Sequence, residues 1–264
     1  MRVATVWAAA GLLGALGLGV HAAGLDGALF QAVNRPLGGR WPTLWITFSV
    51  LGLGLSALIL VAALARGRSA SGMRLLAALL WSLPIGGGAT HALKWACALP
   101  RPPAVLAPDQ LLVIGEPMRH GSMPSGHALT VGVLLALALL RPGSRWPVGL
   151  AAALALLVGL ARLATAAHWP SDVLVGAAAG LCTGVLAWQL AGHGRLAAWL
   201  GERPGQIALG LGQIACGAAM WWLPTGYPDT GALTAVLGGL GLGAGLQRLL
   251  DGRGSGLALR RWPA

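Results

Sequence analysis

Charge is what this chain has least of. Only 9% of its 264 residues are charged, against roughly 25% in a soluble domain. Seven residues are acidic, and among the eighteen basic ones Lys94 is the single lysine. Two-metal hydrolytic sites gather several carboxylates. The outward stretches offer only scattered Asp26, Asp109, Glu116, Asp172 and Asp229, with no His-Glu-x-x-His pattern. A metal centre is therefore rejected, and no cofactor is called for. Cysteine is also scarce. Cys97, Cys182 and Cys216 are odd in number and lack metal-ligand spacing, so they read as small hydrophobes rather than a disulfide framework. Linkers and repeats are missing too, apart from a short Gly/Arg tail after Leu250.

What fills the space is apolar. The chain is 56% hydrophobic, with several runs near the roughly 20 residues that span a bilayer. The fold class is all-α, a polytopic transmembrane helical bundle. Eight spans are expected near 3–24, 42–65, 75–96, 125–140, 147–164, 171–192, 205–223 and 231–250. Arg2 before an apolar run ending in Val20-His21-Ala22 resembles a signal peptide, but the run exceeds the usual core of about 7 to 15 residues. An uncleaved first span is preferred.

A net charge of +11 would suggest nucleic acid in a soluble chain. Here it is explained by arginines between spans, and no nucleic-acid partner is expected. With the N-terminus cytoplasmic, twelve basic residues fall inside: Arg2, Arg66, Arg68, Arg74, Arg141, Arg145, Arg195, Arg203, Arg248, Arg253, Arg260 and Arg261. Six fall outside: Arg35, Arg40, Lys94, Arg101, Arg119 and Arg162. The positive-inside bias then leads to the expectation of a bacterial inner-membrane protein with both termini in the cytoplasm and the polar motifs facing a periplasm or exterior.

Small residues carry a second pattern. Gly176, Gly180 and Gly184 form a stripe at spacing four in register with Asp172. That face should pack on another helix and turn Asp172 into the bundle. Gly239 and Gly243, with Gly241 and Gly245, predict a similar surface on the eighth span.

Three polar stretches interrupt the apolar chain. The first runs from Lys94 to Arg101-Pro102-Pro103, where prolines end the third span and leave Arg101 in a loop. The second is Pro124-Ser125-Gly126-His127, where Ser125 is a candidate N-cap and the free N–H groups of a helix start suit an anion. The third is Arg162-Leu-Ala-Thr-Ala-Ala-His168-Trp-Pro-Ser-Asp172. Pro170 or Ser171 should open a helix with His168 just outside it. Together they supply three cations, amide donors, two imidazoles and a carboxylate, an inventory that suits a phosphoryl group. One histidine can attack phosphorus and the other protonate the leaving oxygen, while the carboxylate orients the attacking ring.

In order and spacing, Lys94-x6-Arg101-Pro102, Pro124-Ser125-Gly126-His127 and Arg162-x5-His168-x3-Asp172 resemble the signature of the type 2 phosphatidic acid phosphatase family. Its superfamily includes the vanadium haloperoxidases. One departure is Ala161, where the family usually has serine. The resemblance implies that His168 is the nucleophile, Asp172 its orienting partner and His127 the general acid. It implies that Lys94, Arg101, Ser125, Gly126 and Arg162 hold the phosphate without a metal. It also implies a six-span phosphatase core over 1–192, leaving 193–264 as a two-span extension with a basic tail.

Glu116, Arg119 and His120 precede the second motif and are candidates for touching a substrate head group. His91 reads as a buried, satisfied histidine, and His21 and His193 as interfacial. Trp41, Trp45, Trp146, Trp169, Trp221 and Trp222 read mostly as an interfacial belt. The expected partner is a lipid phosphate in the bilayer, with undecaprenyl diphosphate preferred. Phosphatidate, phosphatidylglycerol phosphate, lipid A phosphates and a lipid phosphotransferase stay open. A transporter or scaffold would instead need charges at mid-membrane on several helices and broken spans.

Overall fold

The computed structural model describes residues 2–65, 68–143 and 146–254. Arg66, Arg145, Arg260 and Arg261, assigned above to the inner side, lie outside the described residues. Among the described residues all regular structure is helical, in twelve elements. They are α1 (Arg2–Ala22), α2 (Asp26–Gly38), α3 (Pro42–Leu51), α4 (Gly54–Leu64), α5 (Ala70–Cys97) and α6 (Pro102–Val105). There follow α7 (Gly126–Leu140), α8 (Trp146–Ala164), α9 (Pro170–His193), α10 (Leu196–Gly201), α11 (Arg203–Trp222) and α12 (Gly231–Gly254).

Helices α1, α5, α8, α9 and α12 are each long and apolar enough to cross a bilayer. The expected second span is not one straight helix: α3 and α4 meet at a bend of 69° and could serve together as a sixth. The bend follows from Gly52 and Gly54 flanking Leu53, whose extended ψ of 140° interrupts the helical ladder. Helix α7 has only 15 residues, about 22 Å of rise, which ends it short of a full bilayer core. Helix α2 was not expected. Its polar Asp26, Gln31, Asn34 and Arg35 hide it from a search for long apolar runs.

Helix α9 is the hub and packs against α1, α5 and α7. The glycine stripe explains the closest of these contacts. A Cβ at Gly176 would stand 2.5 Å from the Ser125 carbonyl oxygen, and one at Gly184 2.5 Å from Ala136 Cβ. At Gly180 it would collide with the Leu129 carbonyl. Gly132 on α7 reciprocates, with 2.6 Å to the Ala177 carbonyl. Glycine is needed here because two helix backbones touch.

Helices α11 and α12 form a hairpin laid against α4. The expected glycine surface of α12 is real but shifted. Gly241 and Gly245, with Gly238, abut α11, whereas Gly239 and Gly243 have open space beside them. Residues 239 and 243 lie about half a turn from 241 and 245 on a helical wheel, so one face excludes the other.

The ends of the bundle differ in chemistry. At one end Arg2 Nη1 donates to the Arg141 carbonyl (2.9 Å) and Arg74 stacks on Trp188 at 4.2 Å. Arg248 is buried there among α4, α11 and α12. The three motifs gather at the other end. Trp45, assigned above to the belt, is instead buried and donates Nε1 to the Leu37 carbonyl at 2.7 Å.

Candidate active site

The site is built where α8 ends and α9 begins. Arg162 occupies the last turn of α8. Ala166 takes a positive φ of 57°, turning the chain so that the Ala167 and His168 amides both bond back to the Arg162 carbonyl, at 3.0 and 3.2 Å. This helix-ending turn holds His168 beside Arg162. Pro170 then opens α9, and Asp172 falls at its third position, accepting the Trp169 amide at 2.8 Å. Residues 161–168 are all buried.

Side chains from α2 brace this junction. Asp26 accepts the Ser171 amide (2.9 Å) and hydroxyl (2.7 Å) and faces His21 Nδ1 at 3.0 Å. Asn34 donates to the carbonyls of Leu163 and Leu112, both at 2.9 Å, and accepts the Leu112 amide at 2.7 Å. It thereby ties the end of α8 to the long loop between α6 and α7.

The first motif approaches from α5. Ala98, with φ 47°, ends that helix, and Lys94 in its last turn donates Nζ to the Gly121 carbonyl. Arg101 is packed into backbone oxygens. Its Nε meets the His120 carbonyl (2.9 Å), Nη2 the Gly121 carbonyl (3.2 Å) and Nη1 the Ala167 carbonyl (2.8 Å). The second motif is anchored by the Ser125 amide, which donates to the Asp172 carbonyl at 3.0 Å. Ser125 caps α7 by accepting the Ala128 amide at 3.4 Å, as its position predicts.

His168 lies between two partners. Its Nδ1 is 3.3 Å from Asp172 Oδ2, and its Nε2 is 3.3 Å from Arg101 Nη1. Arginine only donates, so Nε2 accepts and the ring proton sits on Nδ1 toward the carboxylate. The same Oδ2 accepts the Ser122 hydroxyl. Burial, then the charges of Arg101, Arg162 and Lys94, hold the His168 imidazolium well below the ordinary range, so the ring is neutral near pH 7. His127 lies near the charges of Arg162, Arg101 and Lys94, so both rings share one electrostatic neighbourhood. Its ring packs over the α3–α4 bend, where a Cβ on Gly52 would stand 3.2 Å from His127 Cδ2.

Two buried polar atoms in this cluster have no hydrogen-bond partner: Arg162 Nε and Asp172 Oδ1. Arg162 is 1% exposed and Asp172 0%, so these are open valences in a closed place. Among the described residues no group of three or more His, Cys, Asp or Glu side chains could hold a metal ion.

The cluster gathers Lys94, Arg101, Ser125, Gly126, His127, Arg162, His168 and Asp172. Glu116, Arg119 and His120 are exposed in the loop between α6 and α7. The carbonyls of Arg119 and His120 bind Arg101, while no side-chain hydrogen bond from either reaches the cluster. His91 is exposed rather than buried, because the cleft between α4 and α5 opens beside it. Trp169 donates Nε1 to the Pro100 carbonyl (2.9 Å) and meets Phe30 edge-on at 5.3 Å.

Sequence reasoning missed Ser122, Asp26, Ser171, Asn34 and Tyr227. Ser122 stands two residues before Pro124, and its nearness to the second motif was a readable signal. Tyr227 is the chain's sole tyrosine and lies in the loop between α11 and α12. Its hydroxyl accepts from Arg162 Nη1 at 2.5 Å. Burial pulls its phenol upward, but the Arg162 charge and nearby hydrogen bonds prevail and set it below its ordinary value.

Residues 75–194 match the family model of the PAP2 superfamily. The likeness to the type 2 phosphatidic acid phosphatase family is thereby borne out over that segment, which contains all three motifs. No curated protein matches the chain. Among solved structures, the crystal structure of Aquifex aeolicus LpxE is similar, with a TM-score of 0.55 and 24% identity. The match covers 62% of this chain and 95% of that one, and at this identity it shows a shared fold.

Proposed function

We propose that this chain, PAP2-like over residues 75–194, is an integral-membrane phosphatase that removes a terminal phosphate from a lipid phosphate. The observation that carries the reading is the placement of His168, with Asp172 at Nδ1 and a cation at Nε2. A neutral ring with its proton directed at a carboxylate leaves the Nε2 lone pair as the nucleophile. Arg101, Lys94 and Arg162 surround the position where a phosphoryl group would replace the Arg101–His168 contact.

In the first step His168 Nε2 bonds to phosphorus, the bond from phosphorus to the leaving oxygen breaks, and His127 gives that oxygen a proton. In the second, water attacks the phosphohistidine, the N–P bond breaks and His127 takes the proton back. Asp172 steadies the imidazolium character that develops on His168. The cations and the Ser125–Gly126 amides offset charge on the transferring oxygens.

The preferred substrate is undecaprenyl diphosphate, and the preferred orientation has the site at the outer face with both termini in the cytoplasm. A site at the mouth of the bundle suits a head group at the membrane surface, and the arginines at the opposite end fit the positive-inside bias. Phosphate release should be measured in detergent with a chelator present, from undecaprenyl diphosphate, phosphatidate, phosphatidylglycerol phosphate and a lipid A phosphate. The wild type should release phosphate from at least one, fastest from the diphosphate, and His168→Ala should lose about a thousandfold or more. Undiminished turnover by the variant removes the nucleophile, and a different best substrate replaces the diphosphate.

A further inference from the structure

The C-terminal hairpin sends one side chain into the site. Besides accepting from Arg162 Nη1, the Tyr227 hydroxyl donates to Thr165 Oγ1 at 3.3 Å, and Thr165 Oγ1 donates to the Ala161 carbonyl at 2.8 Å. The tyrosine is therefore fixed to the last turn of α8 by two bonds. Its loop is also held from outside. The Glu116 amide donates to the Gly226 carbonyl at 2.9 Å, and the Thr225 and Thr230 hydroxyls meet at 2.9 Å. Gly115 takes a φ of +86°, and a Cβ there would stand 2.7 Å from Tyr227 Cδ1. Only glycine lets the outer loop pass so close to the ring.

Arg162 itself is unusual. It makes no ion pair with a carboxylate among the described residues, and its Nε is buried without a partner. A guanidinium grips an oxyanion in two ways: side-on through Nε and one terminal nitrogen, or end-on through both terminal nitrogens. Tyr227 engages Nη1, away from Nε, and the buried Nε keeps its donor unpartnered.

We propose that Tyr227 is a positioning residue, whose hydroxyl fixes the rotation of the Arg162 guanidinium and presents its Nε edge to the phosphoryl group. This rests on the phosphatase reading above and extends it. It makes residues beyond 192, outside the three motifs, a working part of the phosphate grip. A chain with alanine at 161 thus gains from its own C-terminal loop a hydroxyl that orders the neighbouring arginine.

The test is a double-mutant cycle on the full-length protein, using Tyr227→Phe, Arg162→Lys and the pair. Two readouts are taken: kcat/KM on a lipid phosphate turned over by the wild type, and the affinity for vanadate by calorimetry. Tyr227→Phe keeps the ring, and an unchanged melting profile verifies that each variant folds. It should weaken vanadate binding and kcat/KM together by about tenfold to a hundredfold, the effect of leaving a buried donor unpaired. In the Arg162→Lys background the same change should cost less than threefold, because the group it positions is gone. Losses that multiply independently, or a Tyr227→Phe protein within twofold of wild type, overturn the proposal. A wild type that binds vanadate with this Tyr227 dependence but hydrolyses no lipid phosphate keeps Tyr227 and removes the phosphatase reading instead.

Discussion

Two arginines are buried at opposite ends of this bundle, and they are buried differently. Arg248, at the end away from the motifs, is bonded through every nitrogen. Its Nε meets Gln213 (3.0 Å), Nη1 meets Gln206 (2.8 Å), and Nη2 meets the carbonyls of Ala62 (3.0 Å) and Ala65 (2.9 Å). Those carbonyls end α4 and would otherwise be orphans. Arg162, at the end that carries the motifs, has one side-chain hydrogen bond among the described residues, to Tyr227, and a buried nitrogen with none. A saturated arginine holds helices together. An unsaturated one, crowded by Arg101 and Lys94 and lacking a carboxylate of its own, is stabilised by an incoming anion.

Substituting each arginine should separate the two roles. Arg162→Ala should lower kcat/KM by about a thousandfold, the upper range for one transition-state donor, with little change in melting temperature. Arg248→Met should do the reverse. Its removal leaves two glutamines and two helix-end carbonyls short of donors, a loss of about 2 to 4 kcal/mol in stability. The activity of the protein that remains folded should stay within threefold of wild type. A stable, active Arg248→Met protein, or an unfolded Arg162→Ala protein, would erase the distinction.

The charges around Arg162 also act on His168, which sharpens the comparison by pH. The attacking ring must be neutral, and burial with Arg101, Arg162 and Lys94 lowers its pKa. Lowering the pKa of a base extends its active range toward acid. The acid limb of kcat/KM should therefore lie below about 6.5, the unperturbed histidine value. Removing the Arg162 charge should move it upward. A wild-type limb above 6.5, or one indifferent to Arg162, contradicts the electrostatic account.

The smallest contrast lies within the C-terminal hairpin. A Cβ at Gly241 would stand 2.8 Å from Gly217 Cα, while Gly239 has nothing within 4 Å. Gly241→Ala should cost about 1 to 3 kcal/mol by overpacking, and Gly239→Ala should be neutral or slightly stabilising. Equal effects on melting temperature would mean that the α11–α12 contact is looser than described.

How much of this was legible depended on whether the signal was local. The helix starts at Ser125 and Pro170, the end of α5 near Lys94 and the inward turn of Asp172 all follow from short-range rules of capping, proline and small-residue spacing. The eight residues of the three motifs lie at one end of the bundle. Contacts between distant segments left weaker traces. Arg248 read as a tail charge, although Gln206 and Gln213 lie seven residues apart on one face of an apolar helix, a sign of a buried polar partner. Tyr227 and Asn34 act across 62 to 130 residues of sequence or bind backbone oxygens, and nothing beside them in the chain points to their partners. The break between α3 and α4 was hidden because both halves are equally apolar.

The central claim is that His168 carries the phosphoryl group between substrate and water. It is tested most directly by rapid acid-free quenching during turnover of a phosphate-labelled lipid, followed by mapping of the labelled peptide. The account predicts an alkali-stable, acid-labile phosphohistidine at residue 168, formed at the rate of turnover or faster and absent from His168→Ala. Label on another residue, or none while phosphate is being released, would contradict it.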